Sequence, residues 1–211
     1  MTSDRINFIK QGSVATITLN RPEARNALSP DMVAGLGDAV RSCRTADVRA
    51  VIISGAGGFF CSGADVKGFV DQLEQGGPGA VSQHLKDLAG ALHRDVILEI
   101  RRLEKPVIAS VSGIAAGGGF SLMLACDMRI AASDTRFLMA YANIGATPDG
   151  GSTYLLPRLV GVGNAMDLYL ASQPIGAERA LEMGLISQVC AAADLDEHTL
   201  ETANRLAGGP T

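Results

Sequence analysis

The chain has 211 residues, nearly half of them apolar, with 25 glycines and a formal net charge of −4. That length suits one folded core, and low charge with positive mean hydropathy excludes a disordered chain. The slightly acidic balance gives no basis for a nucleic-acid partner.

In chain order, Val14, Ile17 and Leu19 lie in a Thr-rich extended run that predicts a strand, ended by Arg21-Pro22. Ser29 is placed as an N-cap with Pro30 at the first helical position, so a helix is expected to about Cys43, burying Met32, Leu36 and Val40. Residues 50–54 read as a buried strand that empties into a glycine loop at 55–58. A short helix over 65–73, a flexible break at 75–79 and a long helix over 80–103, stopped by Lys105-Pro106, follow. Strands are expected at 107–111, 128–131 and 137–140, with a glycine triplet at 117–119 opening a short helix to Leu124. A turn at 148–151 feeds a helix over 152–158, and helices over 163–171, 177–183 and 196–206 complete the chain. Repeated strand-then-helix units predict an α/β layered core, with 1–211 as one domain.

The four cysteines, Cys43, Cys61, Cys126 and Cys190, are widely spaced and never form C-x-x-C, so they read as reduced core residues and no zinc site is expected. The first ten residues lack the apolar run of a secretory signal, and no stretch reaches membrane-span length. A cytoplasmic protein without a membrane partner is therefore expected.

Three loop-to-helix junctions carry the chemistry: C-S-G-A-D-V-K at 61–67, G-I-A-A-G-G-G-F-S at 113–121, and I-G-A-T-P-D-G-G at 144–151. A helix start leaves unpaired N–H groups and partial positive charge, and glycine lets a ligand atom approach them. Two such starts facing one point would form an oxyanion hole, suited to a carbonyl oxygen that gains charge. The spacing of these glycines fits neither G-x-G-x-x-G nor a Walker A loop.

Four ordered segments, N-R-P-E-A-R-N-A-L at 20–28, F-C-S-G-A-D-V-K at 60–67, G-I-A-A-G-G-G-F-S-L-M-L-A-C-D-M-R-I-A at 113–131 and P-D-G-G-S-T-Y-L-L-P-R-L-V-G at 148–161, resemble the signatures of the crotonase (enoyl-CoA hydratase/isomerase) superfamily. The resemblance implies an α/β spiral of β-β-α units, assembled as a homotrimer or a pair of trimers. It also implies acyl-CoA substrates and no resident cofactor or metal, coenzyme A arriving as part of the substrate. By motif position it assigns the oxyanion amides to Ala64 and Gly118. Its CoA-contacting positions fall on Ala24, Arg25, Ser62, Asp65 and Val66, and the substrate-binding set extends to Gly117 and Tyr141. Members usually continue into a C-terminal helical extension, so the expectation for 1–211 is a core without it.

Hydratases of this family use two glutamates to hold one water. Those positions hold Ser121, just past the glycine triplet, and Tyr141, seven residues before Pro148. Neither is a ready base at neutral pH. Asp149 stands where the family's isomerases tend to carry their single acid, so the resemblance points to one carboxylate moving one proton in a 3-enoyl to 2-enoyl shift. Other readings stay open: a hydratase or another enolate reaction using other groups, a catalytically silent acyl-CoA binder, and Asp149 as a turn or helix-cap residue. Asp65 is expected to cap a helix, Asp127 and Arg129 to pair, and His84, His93 and His198 to be surface or packing residues. Phe69 and Met139 are possible walls of the acyl pocket.

Overall fold

The computed structural model describes residues 4–210. Its main sheet has six strands in the order β1 (Ile6–Gln11), β2 (Val14–Leu19), β3 (Ala50–Gly55), β4 (Val107–Val111), β6 (Met128–Ala132) and β9 (Gln188–Cys190). Strands β1 and β2 pair antiparallel, and every later neighbour pairs parallel. A second sheet orders β5 (Ile114–Ala116), β7 (Arg136–Leu138) and β8 (Ile175–Gly176). Parallel pairing requires crossover connections, which the helices supply. Strands β3 and β4 are apolar and buried along nearly their whole length, as strands covered on both faces must be.

The larger core lies under α1 (Pro30–Ser42), α2 (Val66–Ala91), α3 (Leu98–Arg102), α4 (Gly118–Ala125) and α5 (Ser152–Ala171). A smaller cluster, including Val14, Ile52, Ile108 and Ile130, packs beneath α7 (Leu195–Ala207) on the other side. Helix α6 (Ala177–Glu182) leads into β9. The N-cap expected for α1 forms: Ser29 Oγ accepts from the Met32 N–H at 3.3 Å, with Pro30 first in the helix.

Several elements differ from expectation. The break placed at 75–79 is a bend within α2, at Gly77 (φ 69°, ψ −168°) followed by Pro78. Proline has no N–H and pushes the preceding residue out of helical dihedrals, so a bend replaces a loop. The helix expected over 80–103 is interrupted by a π-helical segment, Leu92–Ile97, and ends at Arg102. The two helices expected within 152–171 form α5, bent at Gly161. Strands β1, β5, β8 and β9 were not expected; β1 is an edge strand with only Ile6 fully buried, and the other three have at most three residues.

Candidate active site

The first two junctions are stitched together by main chain. The Cys61 N–H donates to the Ile114 carbonyl at 3.0 Å, and the Ala116 N–H donates back to the Cys61 carbonyl at 2.9 Å. On the other side, the Leu28 N–H reaches the Gly63 carbonyl at 2.7 Å and the Asp65 N–H reaches the Leu28 carbonyl at 3.1 Å. In a parallel bridge of this pattern the groups flanking Ala64 face Leu28, so Ala64's own N–H lies on the opposite side of the strand. Gly63 sits at φ 96° so close to β5 that a Cβ there would lie 2.9 Å from the Ala116 carbonyl and 3.5 Å from the Gly118 nitrogen. Gly118 opens α4, where no carbonyl one turn back accepts its N–H. The Gly117 N–H is engaged instead, donating to the Leu138 carbonyl at 3.0 Å.

The loop before α1 braces this arrangement. Arg25 and Asn26 both adopt left-handed dihedrals (φ 50° and 56°). The buried Asn26 side chain accepts from the Arg21 N–H at 2.8 Å and donates to the Ala56 and Phe59 carbonyls at 3.0 and 2.6 Å. Three bonds to main chain outweigh the modest cost of an Asn in this backbone region. The same loop lies against the first junction, with the Ser62 N–H donating to the Arg25 carbonyl at 3.0 Å and Ser62 Oγ donating to the Ala24 carbonyl at 3.4 Å. Ala24, Arg25 and Ser62 thus form one patch, continued by Asp65 and the exposed Val66.

Ala64 and Gly118 wall the same small cavity, about 50 Å³, closed by Leu28, Leu85, Leu88 and Leu92. Tyr141 and Asp149 line it too, and Asp149 is the one carboxylate among its described lining residues. A larger hollow of about 460 Å³ lies against β2, β3 and α7 and is walled by Thr16, Thr18, Ser54 and Ser112. It shares no lining residue with the smaller cavity. Size alone would favour the hollow, but Ala64, Gly118 and the one carboxylate residue line the smaller one.

The carboxyl side is built from three residues distant in sequence. Tyr141, on a 3-10 turn at Ala140–Ile144, donates its hydroxyl to Asp149 Oδ1 at 2.6 Å. Ser121, on α4, lies 2.8 Å from the Tyr141 hydroxyl and donates to the Asp149 main-chain carbonyl at 3.0 Å. Ser121 and Tyr141, the positions to which the resemblance assigns the hydratase glutamates, thus both meet Asp149 through hydroxyls. Burial raises the Asp149 pKa above the usual carboxylate range, opposed by the Tyr141 hydrogen bond and the nearby His93 charge. Burial, with the Asp149 charge beside it, raises the Tyr141 pKa, so the phenol keeps its proton. Asp149 does not cap α5: the N-cap is Gly151, with no side-chain bond.

Other expectations are corrected by longer-range contacts. Asp65 stands at the start of α2 but makes no capping bond; its carboxylate pairs with Arg21. Asp127 and Arg129 do not bond to each other. Asp127 pairs with Arg101 at 2.8 Å and accepts from the Val107 N–H, whereas Arg129 donates to the Leu185 and Cys126 carbonyls. Phe69 and Met139 are buried in the core but do not line the cavity. His84 packs edge-on against Phe69 and His198 bonds Gln188, as packing residues do, but exposed His93 is close enough for its charge to act on Asp149. Asn26 and Leu28 had no expected role, and His93 was expected only as a surface or packing residue. A polar residue in the first motif and the 3.6-residue periodicity before the π segment are the signals that could have flagged them. Cys61, the first residue of the first junction, is no nucleophile, since burial pushes its thiol up to about 12. Among the described residues no group of three or more His, Cys, Asp or Glu is placed to hold a metal ion, and no helix is long and apolar enough to cross a membrane.

A profile of the enoyl-CoA hydratase/isomerase family matches residues 9–211. The 1,2-epoxyphenylacetyl-CoA isomerase of Escherichia coli is 36% identical over 210 residues, covering 98% of this chain and 77% of the relative. The short-chain-enoyl-CoA hydratase of Clostridium acetobutylicum is 37% identical over 208 residues, covering 98% and 76%. The crystal structure of an enoyl-CoA hydratase from Bacillus anthracis superposes with a TM-score of 0.89 at 33% identity, covering 97% of this chain and 77% of that one.

Proposed function

The chain belongs to the enoyl-CoA hydratase/isomerase family, with the crotonase fold, and on that premise we propose that it isomerises 3-enoyl-CoA thioesters to 2-enoyl-CoA thioesters. The observation that carries this reading is the hydroxyl pair Ser121–Tyr141 where a hydratase needs two carboxylates, beside Asp149 as the cavity's one carboxylate. In this reaction the thioester oxygen accepts the Ala64 and Gly118 N–H groups. Asp149 removes a C2 proton, acidified by both the carbonyl and the C3=C4 double bond. The electron pair spreads over a dienolate whose negative oxygen sits on the two amides, each such donor contributing roughly 3 kcal/mol to the transition state. Asp149 returns the proton at C4 and the C2=C3 bond forms. One base moving one proton needs neither a held water nor a further cofactor. Its raised pKa makes Asp149 a stronger base than an exposed carboxylate.

In the same reading the Ala24–Arg25 and Ser62–Val66 patch, with Gly117 behind it, holds the coenzyme A arm, largely through main chain. Tyr141 bounds the acyl group. We place the enzyme in the cytoplasm as a trimer or pair of trimers. The exposed Val162, Met166 and Leu170, spaced by four on α5, support such an assembly by offering an apolar face for subunits to cover.

The test is product analysis with matched thioesters. A 3-enoyl-CoA should be converted to the 2-enoyl isomer, with little water added to crotonyl-CoA. Faster hydration than isomerisation would move the assignment to hydratase. Saturable binding with no turnover of either thioester would leave an acyl-CoA binder.

A further inference from the structure

From the hydroxyl contacts we infer that Tyr141 and Ser121 form a reversible proton-ordering relay, two positioning residues that hold Asp149 both as carboxylate and as neutral acid. The inference rests on Asp149 being the group that carries the proton in the proposed isomerisation.

The argument is a count of protons. Three short contacts link the residues: Asp149 Oδ1 to the Tyr141 hydroxyl at 2.6 Å, Tyr141 to Ser121 Oγ at 2.8 Å, and Ser121 Oγ to the Asp149 main-chain carbonyl at 3.0 Å. Each hydroxyl brings one proton, and an ionised carboxylate and a carbonyl bring none. Two protons cannot fill three contacts. With Asp149 ionised, the chain runs Ser121 to Tyr141 to carboxylate, and Ser121 gives up the carbonyl. That carbonyl is not orphaned, because Ser152 serves it twice, through its hydroxyl at 2.8 Å and its N–H at 3.0 Å. With two lone pairs and three donors in reach, the Ser121 proton is the spare one.

Once Asp149 has taken the substrate proton, the count becomes three. With that proton turned onto Oδ1, the acid donates to Tyr141, Tyr141 turns its proton to Ser121, and Ser121 donates to the carbonyl. Every contact is then filled. The arrangement serves a group that must accept a proton at C2, hold it, and release it at C4, because neither state leaves a buried hydroxyl without a partner. It depends on a close approach at Gly150 (φ 57°), where a Cβ would come within 2.7 Å of the Ser121 Cβ.

The titratable neighbours whose charge or hydrogen bond acts on Asp149 are Tyr141 and, from the π-helical segment, His93. The experiment is therefore a carbon-13 NMR titration of protein carrying labelled aspartate, in a His93→Gln background to remove the imidazole charge. The Asp149 signal is assigned by its loss in Asp149→Asn. Tyr141→Phe removes the donor to the charged form, so the Asp149 titration should move up. Ser121→Ala leaves the Tyr141 proton without its acceptor once Asp149 is protonated, so the titration should move down. Ser121→Cys, which fills the same volume with a weak hydrogen-bonding thiol, should also move it down, and Ser121→Thr should restore the original midpoint. A one-way chain that only supports the carboxylate predicts upward shifts for both Tyr141→Phe and Ser121→Ala. That result, or no shift with Ser121→Ala and Ser121→Cys, overturns the relay. Turnover is read separately: Tyr141→Phe should slow isomerisation roughly tenfold, the loss of one hydrogen bond to a charged group. Failure of the unaltered protein to isomerise any 3-enoyl thioester removes the proposed reaction and leaves the titrations standing. Same-sign shifts in a protein that does isomerise remove the relay alone.

Discussion

The amide half of the site is made of main chain, and the carboxyl half is made of side chains. In the proposed reaction Ala64 and Gly118 act through N–H groups whose positions are set by a strand bridge, a helix start and the Asn26 brace. Asp149, Tyr141 and Ser121 contribute through oxygen atoms brought together from three separate elements. Ala64 should therefore tolerate changes of side chain that keep its N–H, though Gly63, where a Cβ would lie 2.9 Å from the Ala116 carbonyl, should not, and the carboxyl half should tolerate almost none.

Four measurements test that contrast. The largest effect is expected from Asp149→Asn, which should lower turnover of a 3-enoyl-CoA roughly thousandfold, within the range for loss of a general acid–base group, while thioester affinity measured by calorimetry stays near that of the parent. Next, Ala64→Pro deletes one amide donor and should cost roughly a hundredfold in turnover, whereas Ala64→Ser, which keeps the N–H, should stay within a few fold. Equal losses for the two Ala64 variants would collapse the distinction between the halves.

A smaller effect comes from pH. Asp149 must be ionised to act, so on the acid side the rate should fall about tenfold for each pH unit below its pKa. Because burial raises that pKa, the fall should begin above the range of an exposed aspartate. The same raised value means the native state binds this proton more tightly than the unfolded chain does. The Asp149 contribution to stability is therefore fully present below the unfolded pKa and is lost as pH rises through the folded one. The smallest effect is expected from Ser62→Ala, whose hydroxyl makes only a long 3.4 Å contact to Ala24. Affinity for a CoA thioester should change by less than about threefold, since its expected contribution is through main chain. A large loss there would show that side-chain chemistry has entered the amide half.

The two halves were also legible to different degrees. The amide junctions could be found because glycine, a strand ending and a helix start are local signals within a few residues, as at 61–67 and 113–121. Asp149 was visible through its motif, and the hydroxyl residues at 121 and 141, where the resemblance places hydratase carboxylates, could be read directly. The contacts among the three could not, because they depend on where α4 and the turn at Ala140–Ile144 are packed. The same limit explains Asp65, whose partner Arg21 is 44 residues away, and Asp127, which meets Arg101 instead of Arg129. Strand β1 escaped because Ile9 faces outward and only Ile6 is fully buried, which blurs the alternation that marks a strand.

The bend at Gly77 has a mechanical consequence. It divides α2 into a piece that starts beside Ala64 and a piece whose Leu85, Leu88 and Ala89 wall the cavity. That cavity, at about 50 Å³, is far below the ~300 Å³ at which ligand pockets usually begin, so in the proposed reaction an acyl chain displaces its wall. A movement of the far piece about this bend would leave the near piece, and Ala64 beside it, in place. Chain-length preference in such an enzyme would be set by how readily a helix yields, and lengthening the tolerated substrate would be a matter of loosening a joint more than of carving a deeper hole.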